Sequence, residues 1–92
     1  MTRGRRDSTH AAIRQALRDV GCSVHDCADL GRGFPDLVVG YHGRTYLLEA
    51  KSPKGKERPG QAAARLAWRG GAWEVVRSVD EALAVVGIPT PK

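Results

Sequence analysis

The strongest constraint on the fold is a pair of apolar runs that flank a two-residue turn signal. The runs read PDLVVGY and RTYLLEAK, with His42 and Gly43 between them. Glycine at the second turn position favours a short β-hairpin. Consecutive apolar residues, in place of an apolar–polar alternation, are typical of strands covered on both faces. The sequence therefore predicts a buried hairpin inside a layered α/β domain.

The segments around the hairpin predict one strand before it, one strand after it and three helices. The first helix is expected from about Ser8 to Val20, with Ser8 as its cap and Gly21 as its stop. A strand near residues 22–27 follows this helix and precedes the hairpin. After the hairpin, Pro59 is expected to open a second helix, and the run AWEVVRS predicts a further strand. Ser78 and Glu81 form a capping box that predicts the start of the last helix. The order α-β-β-β-α-β-α predicts an antiparallel meander and a right-handed helical crossover to a strand parallel to the third.

Length and charge narrow the functional classes. The 92 residues predict a single domain, residues 1–92, and no apolar stretch approaches the ~18 residues of a membrane span. The basic N-terminus is not followed by the apolar core of a signal peptide, so a cytoplasmic protein is expected. The net charge of +5 favours a polyanionic partner, nucleic acid first. A solvated basic face is the alternative.

The two cysteines are expected to be free thiols. Cys22 and Cys27 lie on one predicted strand, which separates them by ~16 Å, too far for a disulfide. A zinc site formed with His25 is disfavoured, because the spacing is cramped and no fourth ligand is near in sequence. A reducing compartment explains both thiols.

Acidic and basic side chains gather at one end of the predicted hairpin. With His42 and Gly43 as the turn, Asp36 stands opposite Glu49, and such partners have Cβ atoms ~4.5–5.5 Å apart. Two carboxylates at that distance raise each other's pKa unless a cation lies between them. Strand periodicity puts Lys51 on the same face as Glu49. The alternative is that Glu49 and Lys51 simply reach solvent where the strand ends.

This group of side chains suits phosphodiester hydrolysis. Two carboxylates are ligands for Mg²⁺ or Mn²⁺, which polarise a phosphoryl oxygen and lower the pKa of a bound water. The Lys51 amine is suited to positioning or deprotonating that water, or to neutralising charge on the phosphate.

The same residues carry a family resemblance. Pro35-Asp36 followed by Glu49-Ala50-Lys51 resembles the PD-(D/E)XK nuclease signature, and the blocks GFPDLVV and LLEAKSPKGKERPGQ resemble the VRR-NUC group over roughly Asp7 to Arg77. The resemblance implies a restriction-endonuclease-like αβββαβ core, with a mixed four-stranded sheet flanked by helices, and here a C-terminal helix in addition. It also implies a metal-dependent DNA endonuclease.

The resemblance assigns roles to five positions. Asp36 and Glu49 would bind the metal ion, with the Ala50 backbone carbonyl as a third ligand. Lys51 would be the catalytic lysine. Gln61, at the start of the second helix, would orient the substrate or the lysine.

The first helix departs from the superfamily pattern. Related nucleases often carry a Glu there that helps to hold the metal, and this helix has none. Asp7 is the expected substitute and His10, about one turn later, is the next. A helix-start acid and a surface imidazole are the plain alternatives for these two residues.

The substrate side is basic. Arg32 and the loop residues Lys54, Lys56 and Arg58 are expected to contact DNA phosphates, with a basic N-terminal arm at 1–7 and a mobile basic loop at 52–60. The sequence also resembles stand-alone VRR-NUC domains of phages and bacteria, homodimers that act on branched DNA such as four-way (Holliday) junctions. This resemblance implies a cytoplasmic protein of a bacterium or of a phage-infected cell. A catalytically inactive nucleic-acid-binding module and an RNA-directed nuclease remain alternatives.

Overall fold

The computed structural model describes residues 4–89, and side chains from residue 8 to residue 89. The helices are α1 (Gly4–Asp19), α2 (Pro59–Ala67) and α3 (Val79–Val85); the strands are β1 (Ser23–Asp26), β2 (Leu37–Tyr41), β3 (Arg44–Ala50) and β4 (Trp73–Val76). One sheet has the strand order β1-β2-β3-β4. The first three strands are antiparallel and β4 runs parallel to β3, which confirms the predicted topology.

The hairpin has the predicted turn and register. Tyr41 pairs with Arg44, so His42 and Gly43 form the turn, and both have the positive φ angles (49° and 79°) that a type I′ turn requires. At the other end Leu37 pairs with Leu48. The next position along both strands therefore sets Asp36 beside Glu49 on the face of the sheet opposite to the leucine pair.

The hydrophobic core lies between one face of the sheet and the helices α1 and α3. Its largest fully buried apolar side chains come from α1 and from the three strands β2, β3 and β4: Ile13, Leu17, Leu37, Val39, Leu48 and Val76. Strand alternation turns Glu49 and Lys51 to the other face. The first turn of α2 approaches that face, because buried Gln61 contacts the side chain of Lys51. The apolar core thus supports the strands while their opposite face carries the polar groups.

The structure corrects the start of the first helix. Helix α1 begins at Gly4, so Ser8 lies inside it and is not its cap. Arginine is a good helix former and no proline interrupts residues 4–8, so the helix extends past the serine. The predicted end is confirmed: Gly21 has a φ of 100°, and the Cys22 N–H donates to the Leu17 carbonyl at 3.0 Å.

The other helix ends largely follow the predictions. Helix α2 opens at Pro59. The Ser78 hydroxyl accepts a hydrogen bond from the Glu81 N–H at 3.1 Å, as a capping residue does. The Glu81 carboxylate, however, accepts from the backbone N–H of Arg77, one residue before the position that a capping box uses.

Both cysteines are free thiols. No helix within residues 4–89 is long and apolar enough to cross a membrane.

Candidate functional site

A cleft of about 900 Å³ opens at the end of the hairpin away from its turn. One wall is the face of α1 that carries His10 and Arg14, and the floor includes Asp36, the residue just before β2. The opposite wall is the segment after β3, from Lys51 to Arg58. Asp26, Ala28 and Asp29 also line it, so the cleft brings together residues from four separate parts of the sequence.

Asp36 is fixed to the neighbouring strand. Its side chain is buried, and Oδ2 accepts a hydrogen bond from the Ala50 backbone N–H at 3.0 Å. Its backbone carbonyl accepts from the Cys27 N–H at 2.7 Å. Asp36 is therefore held from both neighbouring strands, with its carboxylate beside the Glu49-Ala50-Lys51 segment.

Glu49 is fully buried and incompletely hydrogen-bonded. Its Oε2 accepts a hydrogen bond from the Trp73 indole N–H at 2.9 Å. Its Oε1 has no hydrogen-bond partner. Among the buried side-chain nitrogens and oxygens of residues 8–89, it is the only atom that lacks one. An unsatisfied buried carboxylate oxygen is costly, and such an atom calls for an explanation such as an ion.

The surroundings of Glu49 disfavour its charged form. Burial raises the pKa of the Glu49 carboxyl from 4.5 to about 7, and a hydrogen bond from the protonated carboxyl to Glu57 acts in the same direction. The negative charges of Glu57 and Asp36 raise the pKa further. The hydrogen bond from Trp73 opposes them without cancelling their effect. Glu49 does not line the cleft, although Asp36 and Ala50 do. Its carboxylate lies behind the cleft surface, near enough to Asp36 for their charges to interact.

Lys51 and Gln61 meet at the edge of the cleft. The Lys51 Nζ donates a hydrogen bond to Gln61 Oε1 at 2.8 Å, and Gln61 is buried in the first turn of α2. This bond orients the ammonium group, since Lys otherwise rotates freely about a long side chain. The proximity expected from the resemblance is present, and the roles of both residues stay predictions.

Glu57 is a third acidic residue here, and sequence reasoning missed it. Both of its oxygens accept hydrogen bonds from Arg65, one from Nε at 2.8 Å and one from Nη2 at 2.9 Å. Arg65 thereby lowers the pKa of the Glu57 carboxyl. The signal in the sequence was weak, because Glu57 stands among lysines and arginines in a loop and Arg65 lies on the following helix.

The α1 wall contains a second cluster that the sequence did not reveal. The Asp26 Oδ2 faces His10 Nε2 at 3.0 Å and accepts a hydrogen bond from Arg14, while its Oδ1 accepts from the Ala28 N–H at 3.1 Å. Although burial acts in the opposite direction, these hydrogen bonds lower the pKa of Asp26. His10 therefore lies in the cleft with one ring nitrogen already engaged. The side chain of Asp7, the other proposed substitute ligand, lies outside the described residues.

The predicted DNA-contacting residues divide into two groups. Lys56 and Arg58 line the cleft, whereas Lys54 and Arg32 are exposed and lie outside its lining. The loop is tied down near its start, because Arg77 Nη1 donates hydrogen bonds to the backbone carbonyls of residues 52 and 55. Further along the same loop, the ion pair between Glu57 and Arg65 connects the loop to α2. The mobility of the loop stays a prediction.

Comparison with solved structures identifies the architecture. A structure described as a VRR_NUC domain superposes with a TM-score of 0.71 at 23% sequence identity, covering 88% of this chain and 92% of that chain. This chain has the fold of a VRR_NUC domain. The fold class inferred from the sequence motifs is thereby confirmed. No family model matches the sequence, and no curated protein matches it closely.

The carboxylates of this VRR_NUC fold suit a small hard cation. Among the side chains of residues 8–89, no three His, Cys, Asp or Glu groups converge on one point. Mg²⁺ does not require three protein side chains, because it is commonly held by one or two carboxylates and keeps several bound waters. The unsatisfied Oε1 of Glu49 and the neighbouring Asp36 supply those oxygens. Mg²⁺ and Mn²⁺ both fit this donor set.

Proposed function

We propose that this protein is a metal-dependent endonuclease that hydrolyses phosphodiester bonds in DNA. One observation carries the proposal: Glu49 is buried beside Asp36, and no protein donor reaches the Oε1 of its ionised carboxylate. A divalent cation accounts for that oxygen and offsets the repulsion between the carboxylates. The VRR_NUC fold and the row of Lys51, Lys56 and Arg58 along one wall of the cleft support the same conclusion.

The chain's own residues divide the work of hydrolysis. Asp36, Glu49 and the Ala50 carbonyl would hold the cation, with His10 or Asp7 as a further ligand from α1. The bound ion would polarise a phosphoryl oxygen and lower the pKa of a water molecule.

Lys51 acts on the reacting phosphate. Gln61 holds its ammonium group at the cleft edge, where a positive charge stabilises the negative charge that develops during attack. Lys56 and Arg58 on the same wall contact phosphates of the strand without reading its bases.

We also propose that the substrate is branched DNA, such as a four-way junction, and that the protein acts as a homodimer. Exposed Arg32 and Lys54 would extend the phosphate contacts beyond the cleft. Two copies would present two clefts, which suits paired incisions in a symmetric junction.

The direct test is cleavage of labelled duplex, flap, splayed and four-way DNA with Mg²⁺ or Mn²⁺. We expect Asp36→Asn, Glu49→Gln and Lys51→Ala each to lower the cleavage rate by a factor of about 100 or more, with DNA affinity largely kept. Arg44→Ala, at the opposite end of the hairpin, and exposed Glu74→Gln are matched controls that should cleave normally. Cleavage at the wild-type rate by all three site variants would overturn the proposal.

A binding module without activity is the second candidate. It is favoured by the absence of Glu from α1 and by the lack of three converging ligand side chains within residues 8–89. Calorimetry with Mn²⁺ separates the candidates: saturable binding that Asp36→Asn abolishes supports the enzyme, and no heat supports the module. Matched RNA substrates in the cleavage assay test the RNA-directed alternative.

A further inference from the structure

Trp73 is the one hydrogen-bond donor that Glu49 has among the described side chains. Its indole Nε1 lies 2.9 Å from Glu49 Oε2. Trp73 pairs with Leu47 across the parallel strands, and strand alternation therefore puts it on the face of the sheet that also carries Glu49. The bond thus joins β4 to a proposed cation ligand 24 positions away in the sequence.

The neighbouring carboxyl of Glu57 cannot take over this function when both groups are ionised. Glu57 is a carboxylate, and the two nitrogens of Arg65 occupy its oxygens. An ionised carboxylate accepts hydrogen bonds and donates none. Without the indole, an ionised Glu49 would have no side-chain donor among residues 8–89, and both of its oxygens would lack a hydrogen bond.

The Trp73 ring is itself supported. Trp68, just after α2, packs edge-on against it, with ring centroids 5.7 Å apart and an interplanar angle of 73°. Indole has a donor and no acceptor, so it bonds a carboxylate oxygen in one sense only. A fixed donor on Oε2 holds the carboxylate in one orientation and leaves Oε1 without a protein partner.

We infer that Trp73 is a positioning residue for the proposed cation site: its indole N–H fixes the Glu49 carboxylate with Oε1 available to a divalent ion. The inference rests on the proposed function, since Glu49 is a ligand only if the site binds a cation. Partners that orient metal ligands typically contribute 10- to 100-fold to metal affinity. Trp73 touches neither the substrate nor the ion, and acts through Glu49 alone.

The test compares two tryptophan variants in calorimetric titrations with MnCl₂ and no DNA. Trp73→Phe keeps an aromatic ring and removes the N–H. Trp68→Phe is the matched control, because it changes the same ring pair and leaves the Trp73–Glu49 bond in place. We expect Trp73→Phe to raise the dissociation constant for Mn²⁺ 10- to 100-fold and Trp68→Phe to change it less than about threefold.

A spectroscopic readout keeps the inference testable if Trp73→Phe fails to fold. The chain has two tryptophans, so Trp68→Phe leaves Trp73 as the only indole fluorophore. Mg²⁺ is used here because it is not paramagnetic and does not quench fluorescence in that way. Its addition should change the emission of Trp73 along a saturable titration curve. The added substitution Glu49→Gln should abolish that change. This readout reports whether an ion bound at Glu49 changes the environment of the indole.

The outcomes separate the two levels of the proposal. If the wild type binds Mn²⁺ and Trp73→Phe binds it equally well, the positioning role is wrong while the nuclease proposal stands. Unchanged Trp73 emission at saturating Mg²⁺ also overturns the positioning role. If the wild type binds neither ion, both the positioning role and the metal-dependent function fall.

Discussion

Replacing Glu49 by glutamine should remove a pH-dependent loss of stability from the metal-free protein. Burial first, and Glu57 next, raise the pKa of the Glu49 carboxyl from 4.5 to about 7. The folded state therefore holds a proton that the unfolded chain releases at lower pH. The stability linked to that proton is complete below pH 4.5 and is lost as the pH rises through about 7.

The size of the effect follows from the same values. Each pH unit between the two pKa values corresponds to about 1.4 kcal/mol, so a rise from 4.5 to about 7 sets a ceiling of about 3 kcal/mol on the stability lost. In a domain of this size, 1 kcal/mol moves the melting temperature by about 4–8 °C. The wild type should thus melt lower at pH 9 than at pH 5 by up to about 10–20 °C because of this one carboxyl, and Glu49→Gln should not show this contribution.

The assay is thermal unfolding followed by circular dichroism in EDTA between pH 5 and pH 9. Exposed Glu74→Gln is the control, because the change is chemically the same and the wild-type slope should persist. Excess Mg²⁺ should then raise the free energy of unfolding of the wild type at high pH. The gain is about 2.7 kcal/mol at one hundred times the dissociation constant, and the stability of Glu49→Gln should not change. Parallel pH profiles of wild type and Glu49→Gln in EDTA would refute the reasoning.

Three further predictions concern the framework and use chemical unfolding. Gly33→Ala should cost about 1 kcal/mol more than Gly21→Ala, because both have positive φ but only a Cβ at residue 33 would lie 3.1 Å from the Gly60 carbonyl oxygen. Equal costs would contradict this. Leu48→Ala should destabilise the protein by about 2–5 kcal/mol, since Leu48 is fully buried in the core; a loss below 1 kcal/mol would mean that the core is not packed as described. Ser78→Ala should cost about 1 kcal/mol through loss of the α3 cap, and Ser78→Gly clearly less.

Local signals carried most of the fold. The turn glycine and two apolar runs were sufficient for the hairpin and its register, because a two-residue turn leaves only one pairing of the strands. Gly21 and Pro59 marked helix ends through backbone geometry that is set by the residue itself. The start of α1 was wrong because Ser8 is only one candidate cap, and the residues before it also favour a helix.

The candidate site was predictable only in part. Residue spacing brought Asp36, Glu49 and Lys51 to one end of the hairpin, and the observed register agrees. The Asp26 cluster and Glu57 were missed, because each depends on a partner in another element. Hydrophobic periodicity and short motifs do not indicate hydrogen bonds between side chains of different elements, because these form only when the elements pack together.

The sequence by itself determined which acids and which lysine share one end of the hairpin, because strand register is a local property of the turn and its flanking runs. Only the tertiary structure decided the environment of those groups. It buried Glu49 against Trp73 with one oxygen unsatisfied, and it placed Lys51 against Gln61 at the edge of a cleft. Burial and hydrogen bonding between distant segments arise only when sheet and helices pack together, and they control charge and orientation at the site.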